Sequence, residues 1–260
     1  MPATPAWPPA STPRLFVDQP LAAEDAIVLE GAPANYLGAV MRLKSGDPVR
    51  LFDDRTGEWL ATVSEAGKRR VTLIVGPQLR ARESVPDLWL LFAPIKKGRV
   101  DWLVEKATEL GVARLQPVLT QRTVVDRLNL DRLRAHVIEA TEQCDRTALP
   151  ELAEPTPLAT LLSQWPRGRA LFFADERGGP PLLEAAAATS GPAAILVGPE
   201  GGFTPVERQA IRDVRDARPI SLGPRILRAE TAAAAALAVW MAAAGDWSAP
   251  PRLPGADRMG

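Results

Sequence analysis

The chain has 260 residues, and its 31 basic side chains balance its 31 acidic ones, so the formal net charge is zero. This balance excludes a protein that coats nucleic acid through bulk positive charge, and any nucleic-acid contact must therefore be local. The only cysteine, Cys144, excludes an internal disulfide and a cysteine-rich metal site, and it predicts a reducing, cytoplasmic location.

The two ends of the chain carry no pattern of a folded element. Residues 1–13 are rich in Pro, Ala and Ser and lack the positive start and apolar core of a signal peptide, so we predict a flexible tail there. A second tail is predicted at residues 248–260. No apolar run reaches the roughly 20 residues that a membrane helix needs. The length suits two domains without a membrane span.

Residues 14–82 carry the pattern of short β-strands. Stretches in which apolar and polar side chains alternate are separated by turn residues such as Gly, Asp and Ser. They cover residues 14–17, 48–52, 59–63 and 70–75. A small β-barrel is the natural closure for such strands. Residues 78–87 contain little apolar sequence and interrupt the pattern, so we predict one domain over residues 14–82 and a second over residues 83–247.

The second part of the chain has a different hydrophobic period. Apolar side chains between Val100 and Leu110 recur at helical spacing, and Gly111 follows as a C-cap. Strand-like and helix-like stretches then alternate. They cover residues 88–92, 114–118, 130–142, 170–174, 181–188 and 195–197. This alternation predicts an α/β domain with a mostly parallel sheet.

Two loops near the C-terminus each follow a short apolar strand. The first loop is Gly198-Pro199-Glu200-Gly201-Gly202, and the second loop covers residues 222–231, after a strand predicted at residues 219–222. Ligands of open parallel sheets bind outside the carboxyl ends of the strands, where both loops are expected. The second loop adds the charges of Arg225, Arg228 and Glu230. We predict that the two loops build one pocket.

The helix that follows the first loop has a well-specified start. Thr204 is a predicted N-cap, Pro205 suits the first turn, and Glu207 completes a capping box. A helix start beside glycine-rich backbone ordinarily binds phosphate, but the Glu200 carboxylate repels that group. The glycine patterns of nucleotide triphosphate and dinucleotide sites do not occur in the chain. A ligand with hydroxyls, an amine or a cationic centre fits better.

Several stretches of the chain match a known family. They cover residues 13–17, 40–43, 46–47, 97–111, 142–144, 198–203 and 222–231. On these stretches the chain resembles the RsmE family of small-subunit (16S) rRNA uridine N3-methyltransferases, and its second half resembles the SPOUT class of methyltransferases. The resemblance implies a PUA-like RNA-binding barrel, an α/β domain with a C-terminal trefoil knot, and S-adenosylmethionine as cofactor. It also implies a homodimer that acts on the small ribosomal subunit.

The two loops supply the predicted cofactor site. The glycines offer backbone groups to the cofactor, three apolar side chains of the second loop form walls for its adenine, and Thr231 is also a predicted cap of the last helix. The predicted cofactor-binding residues are Leu196, Gly198, Pro199, Glu200, Gly201, Gly202, Leu222, Gly223, Ile226, Leu227, Thr231 and Ala232.

Methyl transfer from a sulfonium to uridine N3 needs orientation and the removal of the N3 proton, and it needs no metal. The only histidine, His136, lies in a predicted helix far along the chain from both loops, so arginine and carboxylates remain for the chemistry. We predict that Arg228 stabilises the uracil anion, with Glu230 or Glu200 organising the site. The predicted RNA-binding residues are Arg14, Arg42, Lys96, Lys97, Arg99 and Arg122.

Two other functions are compatible with the sequence. The first is a related methyltransferase that acts on another RNA, such as a tRNA, because the cofactor loops of the two enzymes would look alike. The second is an RNA-binding assembly protein that has lost its chemistry, although the presence of Arg228 and Glu230 argues against it.

Overall fold

The computed structural model describes residues 12–67, 69–125, 127–175 and 177–250. Most of the two predicted tails, residues 1–11 and 251–260, lies outside the described residues. The chain forms two compact units, of which the first contains residues 12–84 together with Glu142–Ala148, and the second contains Val85–Thr141 and Leu149–Pro250. No periodicity in the sequence indicates that Glu142–Ala148 belongs to the first unit.

The first unit is built on a five-stranded sheet. Its elements are β1 (Arg14–Phe16), β2 (Ala26–Glu30), α1 (Gly31–Asn35), a π-helical turn (Tyr36–Val40), β3 (Pro48–Phe52), β4 (Gly57–Ala66) and β5 (Arg70–Ala81). The strand order is β1-β3-β4-β5-β2, and every pair is antiparallel except β1 with β3. The predicted β-rich start of the chain is confirmed, although β2 was missed and β5 runs further than expected.

The strands of the first unit bury side chains on one face of their sheet. Along β2, Ile27 and Leu29 are buried while their neighbours are exposed. These side chains pack with buried residues of the other strands, among them Val49, Leu51 and Leu73. The first unit therefore has its own hydrophobic core.

The second unit contains a parallel sheet with helices on both faces. Its elements are β6 (Leu88–Phe92), α2 (Lys97–Glu109), β7 (Arg114–Leu119), α3 (Leu130–Gln143), β8 (Glu151–Leu152), β9 (Thr156–Pro157), α4 (Leu158–Ser163), β10 (Ala170–Ala174), α5 (Leu182–Ala187), β11 (Ala193–Val197), α6 (Pro205–Arg212), β12 (Ala217–Ile220) and α7 (Ala229–Ala244). The order is β12-β10-β11-β6-β7-β8, and β9 pairs with β7. All of these pairs are parallel, so the predicted α/β class is confirmed.

The central position of β11 in the sheet explains why its sequence is continuously apolar. All five of its residues are buried, because one face of the sheet packs against α2, α5 and α7, and the other packs against α4 and α6. Because β10 and β6 flank β11, the loops that leave their carboxyl ends lie at one edge of the sheet. Within the described part of the chain, no helix has the length and apolar content to cross a membrane.

Two boundaries near the C-terminus differ from the sequence prediction. The strand predicted at residues 219–222 is β12, which begins and ends two residues earlier, because Ala217 pairs with Leu171 of β10. The predicted capping role of Thr231 is wrong, since α7 begins at Ala229 and its N-cap is Arg228. Strand order alone does not establish the trefoil knot, which stays a prediction.

Candidate functional site

The first loop is held closely against the core of the second unit. A Cβ at Gly198 would lie 3.0 Å from the ring of Phe203, which is itself buried. Gly202 has a φ of 67°, a conformation that glycine adopts without strain. At the end of the loop, Thr204 caps α6 and Glu207 completes the predicted capping box. Local sequence thus fixes the start of α6, and close packing fixes the loop before it.

Gly198→Ala should weaken binding of the predicted cofactor. The added methyl group would push either the loop backbone or the Phe203 ring, and overpacking of this kind costs about 1–3 kcal/mol. Because the displaced loop would no longer match the ligand, we expect the affinity for S-adenosylmethionine to fall about tenfold, measured by calorimetry. Gly98→Ala on α2 is the control, because a Cβ there meets no atom within 4 Å. Equal affinities for Gly198→Ala and the wild type would contradict the expected close fit.

The turn after β7 supports the first loop through two contacts. The Arg122 guanidinium donates a hydrogen bond of 2.5 Å to the carbonyl oxygen of Gly201. A Cβ at Gly201 would lie 3.3 Å from the Arg122 side chain, so the glycine leaves room for the arginine. The buried Glu207 carboxylate accepts hydrogen bonds from the backbone amides of Gln121 and Thr204, at 2.7 and 2.9 Å. The turn, the first loop and α6 therefore form one braced structure.

Arg99 connects the first loop to the second loop. It lies in the first turn of α2, and its Nη1 is 3.4 Å from Oε1 of Glu200. Its Nε is 3.6 Å from Oε1 of Glu230, which lies in the first turn of α7. The sequence predicted a common pocket for both carboxylates, and the structure brings them to one guanidinium. No local pattern in the sequence indicates this link, because Arg99 precedes Glu200 by 101 residues.

Glu230 carries the clearest sign of a ligand. Its side chain is 12% exposed, and its Oε2 is buried without a hydrogen-bond donor among the described residues. A buried carboxylate oxygen without a donor is costly, so such atoms are normally satisfied by a partner. An ammonium or hydroxyl group of a ligand would supply the missing hydrogen bond.

The second loop combines a buried side with an exposed side. Leu222 and Leu227 pack against the core, while Gly223 takes a φ of 101°. Ile226 is fully exposed, so it does not line an apolar wall with other residues of the described part of the chain as predicted. Arg228 is exposed as well, and among the described residues its guanidinium takes part in no ion pair. The exposed side chains of this loop are free to meet a ligand or a partner molecule.

Three predicted cofactor-binding residues present little side chain to a ligand. Leu196 is completely buried in the core beside Phe203, and Pro199 and Ala232 are also buried. Leu196 therefore has only its backbone to offer. Thr231 is exposed on the first turn of α7. The roles of these residues toward a cofactor stay predictions.

Asp175 is a charged residue of the same sheet edge that sequence reasoning missed, although it directly follows the apolar strand β10. Its side chain is fully buried, with Oδ2 2.7 Å from Nη2 of Arg212 and Oδ1 3.2 Å from Nε of Arg208. Burial alone would raise the pKa of Asp175, but hydrogen bonds from the Arg177 amide and Arg212, together with the charge of Arg208, outweigh it and lower the pKa.

This pKa shift predicts a loss of stability in acid. A lowered folded-state pKa contributes stability that is complete above the unfolded value of about 3.9 and is lost as the pH falls through the folded-state pKa. We expect wild-type protein to be more stable than Asp175→Asn at pH 7, and the difference should shrink below about pH 4. Urea denaturation at several pH values measures it. A difference that stays constant down to the lowest pH would contradict this origin.

The predicted RNA-binding residues differ in their exposure. Arg42, Lys96 and Lys97 are exposed and accessible to a phosphate group. Arg14 is not, because its side chain is 4% exposed and its Nε lies 2.7 Å from Oε1 of Glu58. Burial lowers the pKa of Arg14, and Glu58 opposes that shift. The structure therefore contradicts an RNA contact by Arg14 and assigns it to a buried ion pair. His136 lies outside the site, with Nδ1 2.8 Å from a carboxylate oxygen of Glu105.

Two protein families match the chain. The family described as an RNA methyltransferase domain matches residues 82–241, and the family described as an RNA methyltransferase PUA domain matches residues 29–76. The first match includes both loops and Arg99. The second lies within the first unit and supports the predicted PUA-like domain.

Individual relatives are named as RNA methyltransferases of the small ribosomal subunit. The ribosomal RNA small subunit methyltransferase E of Rickettsia conorii is 32% identical over 86% of this chain and 93% of its own length. That of Synechocystis is 32% identical over 86% of this chain and 76% of its own length.

Solved structures also resemble this one over nearly its whole length. The ribosomal RNA small subunit methyltransferase E of Neisseria gonorrhoeae, bound to S-adenosylmethionine, has a TM-score of 0.83 at 27% identity and covers 91% of this chain and 99% of its own. A methyltransferase of Legionella pneumophila, in complex with the same cofactor, has a TM-score of 0.80 at 28% identity, with coverages of 90% and 99%. This chain belongs to the ribosomal RNA small subunit methyltransferase E family.

Proposed function

We propose that this protein transfers a methyl group from S-adenosylmethionine to the ribosomal RNA of the small subunit. Its family membership supports the reaction. The observation that carries the cofactor assignment is the buried Glu230 Oε2, which accepts no hydrogen bond from the described residues. The ammonium and hydroxyl groups of S-adenosylmethionine are donors that suit this atom.

The chain offers groups for each part of this cofactor. Glu230 would accept a hydrogen bond from its amine or a ribose hydroxyl, the backbone of the first loop would bind its polar edges, and Leu222 and Leu227 would contact its adenine. When bound, the cofactor supplies a methyl group on a positively charged sulfur. Arg99 and Arg122 hold the first loop in place by the contacts described above.

We further propose that the accepting atom is N3 of a uridine. At neutral pH this nitrogen carries a proton, and loss of that proton to solvent leaves negative charge on the flanking carbonyl oxygens of the base. The exposed Arg228 has donors available for those oxygens, while Glu200 and Glu230 are held by Arg99. Arg228 would thus stabilise the anion, and the carboxylates would organise the site.

The partners and location complete the proposal. The domain over residues 14–82 would bind RNA, the domain over residues 83–247 would carry the chemistry, and its C-terminus would be threaded into a knot. Lys96, Lys97 and Arg42 would contact phosphates, since they are exposed. A cytoplasmic homodimer is part of the proposal, and the fully exposed Ile226 beside the site is consistent with a partner chain covering it.

The decisive experiment is a methylation assay with labelled S-adenosylmethionine on small ribosomal subunits from cells that lack the protein. The modified nucleoside is identified by mass spectrometry. Labelled N3-methyluridine at one position of the small-subunit RNA is the expected result. Label in tRNA alone would show that the substrate is tRNA rather than ribosomal RNA. RNA binding without any methyl transfer would support an assembly protein instead.

A further inference from the structure

The pairing of Arg99 is unusual for a residue expected to contact RNA. Its guanidinium meets carboxylates of both loops, and among the described residues it is the only cation within ion-pair distance of Glu200 or Glu230. Lys97, in the same first turn of α2, is exposed and forms no ion pair within the described part of the chain. The position of Arg99 therefore suits a role inside the cofactor site rather than on RNA.

We propose that Arg99 is a positioning residue that ties Glu200 to Glu230 and sets how strongly the site favours a cationic sulfonium over its neutral thioether product. This inference rests on the proposed function of the two loops. Within the ion-paired group of Arg99, Glu200 and Glu230, two carboxylates and one guanidinium leave a single net negative charge. Without Arg99 the net negative charge of this group doubles, and the two carboxylates repel each other.

The chemistry of the ligands makes this charge measurable. S-adenosylmethionine carries a sulfonium, an ammonium and a carboxylate, whereas S-adenosylhomocysteine has lost the sulfonium charge together with the methyl group. Both share every other group that the loops could bind. The ratio of their dissociation constants therefore reports the electrostatic environment of the sulfur, and a general loosening of the loops cancels out of it.

The experiment measures both ligands by calorimetry on the full-length protein at low salt. For Arg99→Gln we expect both affinities to fall, because the loops are no longer tied together. The preference for S-adenosylmethionine over S-adenosylhomocysteine should nevertheless rise about fivefold. This is the effect of removing one positive charge that would lie about 4 Å from the sulfonium, at the dielectric constant of water. High salt should reduce this rise by screening.

A charge-compensated variant separates electrostatics from structure. Arg99→Gln combined with Glu200→Gln restores the single net negative charge, so the ligand preference should return to the wild-type value even though the arginine is missing. Arg99→Lys keeps the positive charge, so its preference should equal that of the wild type. Lys106→Gln is the matched control, since it removes another cation of α2 that pairs with Glu109 at 2.7 Å, and it should change neither affinity.

Several outcomes would overturn the inference. The first is a ligand preference of Arg99→Gln that stays within twofold of the wild type. The second is a preference that the compensated double variant does not restore. Should Arg99→Gln not fold, Glu200→Gln alone must lower the preference, because it removes the net negative charge, and an unchanged value would again refute the inference. If the wild-type protein binds neither ligand, the proposed function itself fails.

Discussion

Arg228→Ala should reduce the turnover number for methyl transfer by about a hundredfold to a thousandfold, the usual cost of removing one donor from a developing anion. The affinity for S-adenosylmethionine should stay within about twofold of the wild type, because Arg228 is proposed to meet the base rather than the cofactor. The structure supports this separation, since Arg228 is exposed and, within the described part of the chain, engaged in no ion pair, whereas Glu230 has a buried oxygen.

The pH dependence of the variant tests the proposed role more directly than its turnover number. If Arg228 stabilises the uracil anion, raising the pH should restore part of the lost turnover, because solvent hydroxide then removes the N3 proton. The wild-type enzyme should gain less from the same change. Arg218→Ala, an exposed arginine on the edge strand β12, should match the wild type. Turnover by Arg228→Ala close to the wild-type value would refute the assignment.

Glu58→Gln should destabilise the first unit by about 3–5 kcal/mol, the cost of removing one member of a buried ion pair. Glu58 is 3% exposed, and its carboxylate meets three arginines. Its Oε1 lies 2.7 Å from Nε of Arg14 and 3.5 Å from Nη1 of Arg50, and its Oε2 lies 2.5 Å from Nε of Arg80. Asp145 is a second carboxylate near the same arginines, but it is 30% exposed. Without Glu58, the buried charge of Arg14 depends on the more distant carboxylate of Asp145 for compensation.

Urea denaturation followed by tryptophan fluorescence measures this loss, because Trp59 lies beside Glu58 on β4. A loss of this size is comparable to much of the stability of a small domain, so the first unit should unfold at low urea concentration. Glu65→Gln changes an exposed carboxylate on the same strand and should alter the free energy of unfolding by less than about 0.5 kcal/mol. Similar values for both variants would show that the network contributes no net stability.

The candidate site shows how far single residues can be read from sequence. Both loops were found because each feature is local: glycines follow an apolar strand, and a capping box follows the glycines. The role of Arg14 was misjudged, because a surface arginine and a buried one look alike until their partner is known. Glu58 follows Arg14 by 44 residues, and only the sheet brings them together.

The amino-acid sequence by itself determined the α/β class, the places of the main strands and helices, the two loops and the start of α6. These features depend on hydrophobic periodicity and on hydrogen bonds between residues a few positions apart, so local sequence is enough to determine them. The tertiary structure alone decided the start of β12, the assignment of Glu142–Ala148 to the first unit and the link from Arg99 to both loops. Such pairings depend on which strand lies beside which, and no local pattern encodes that order.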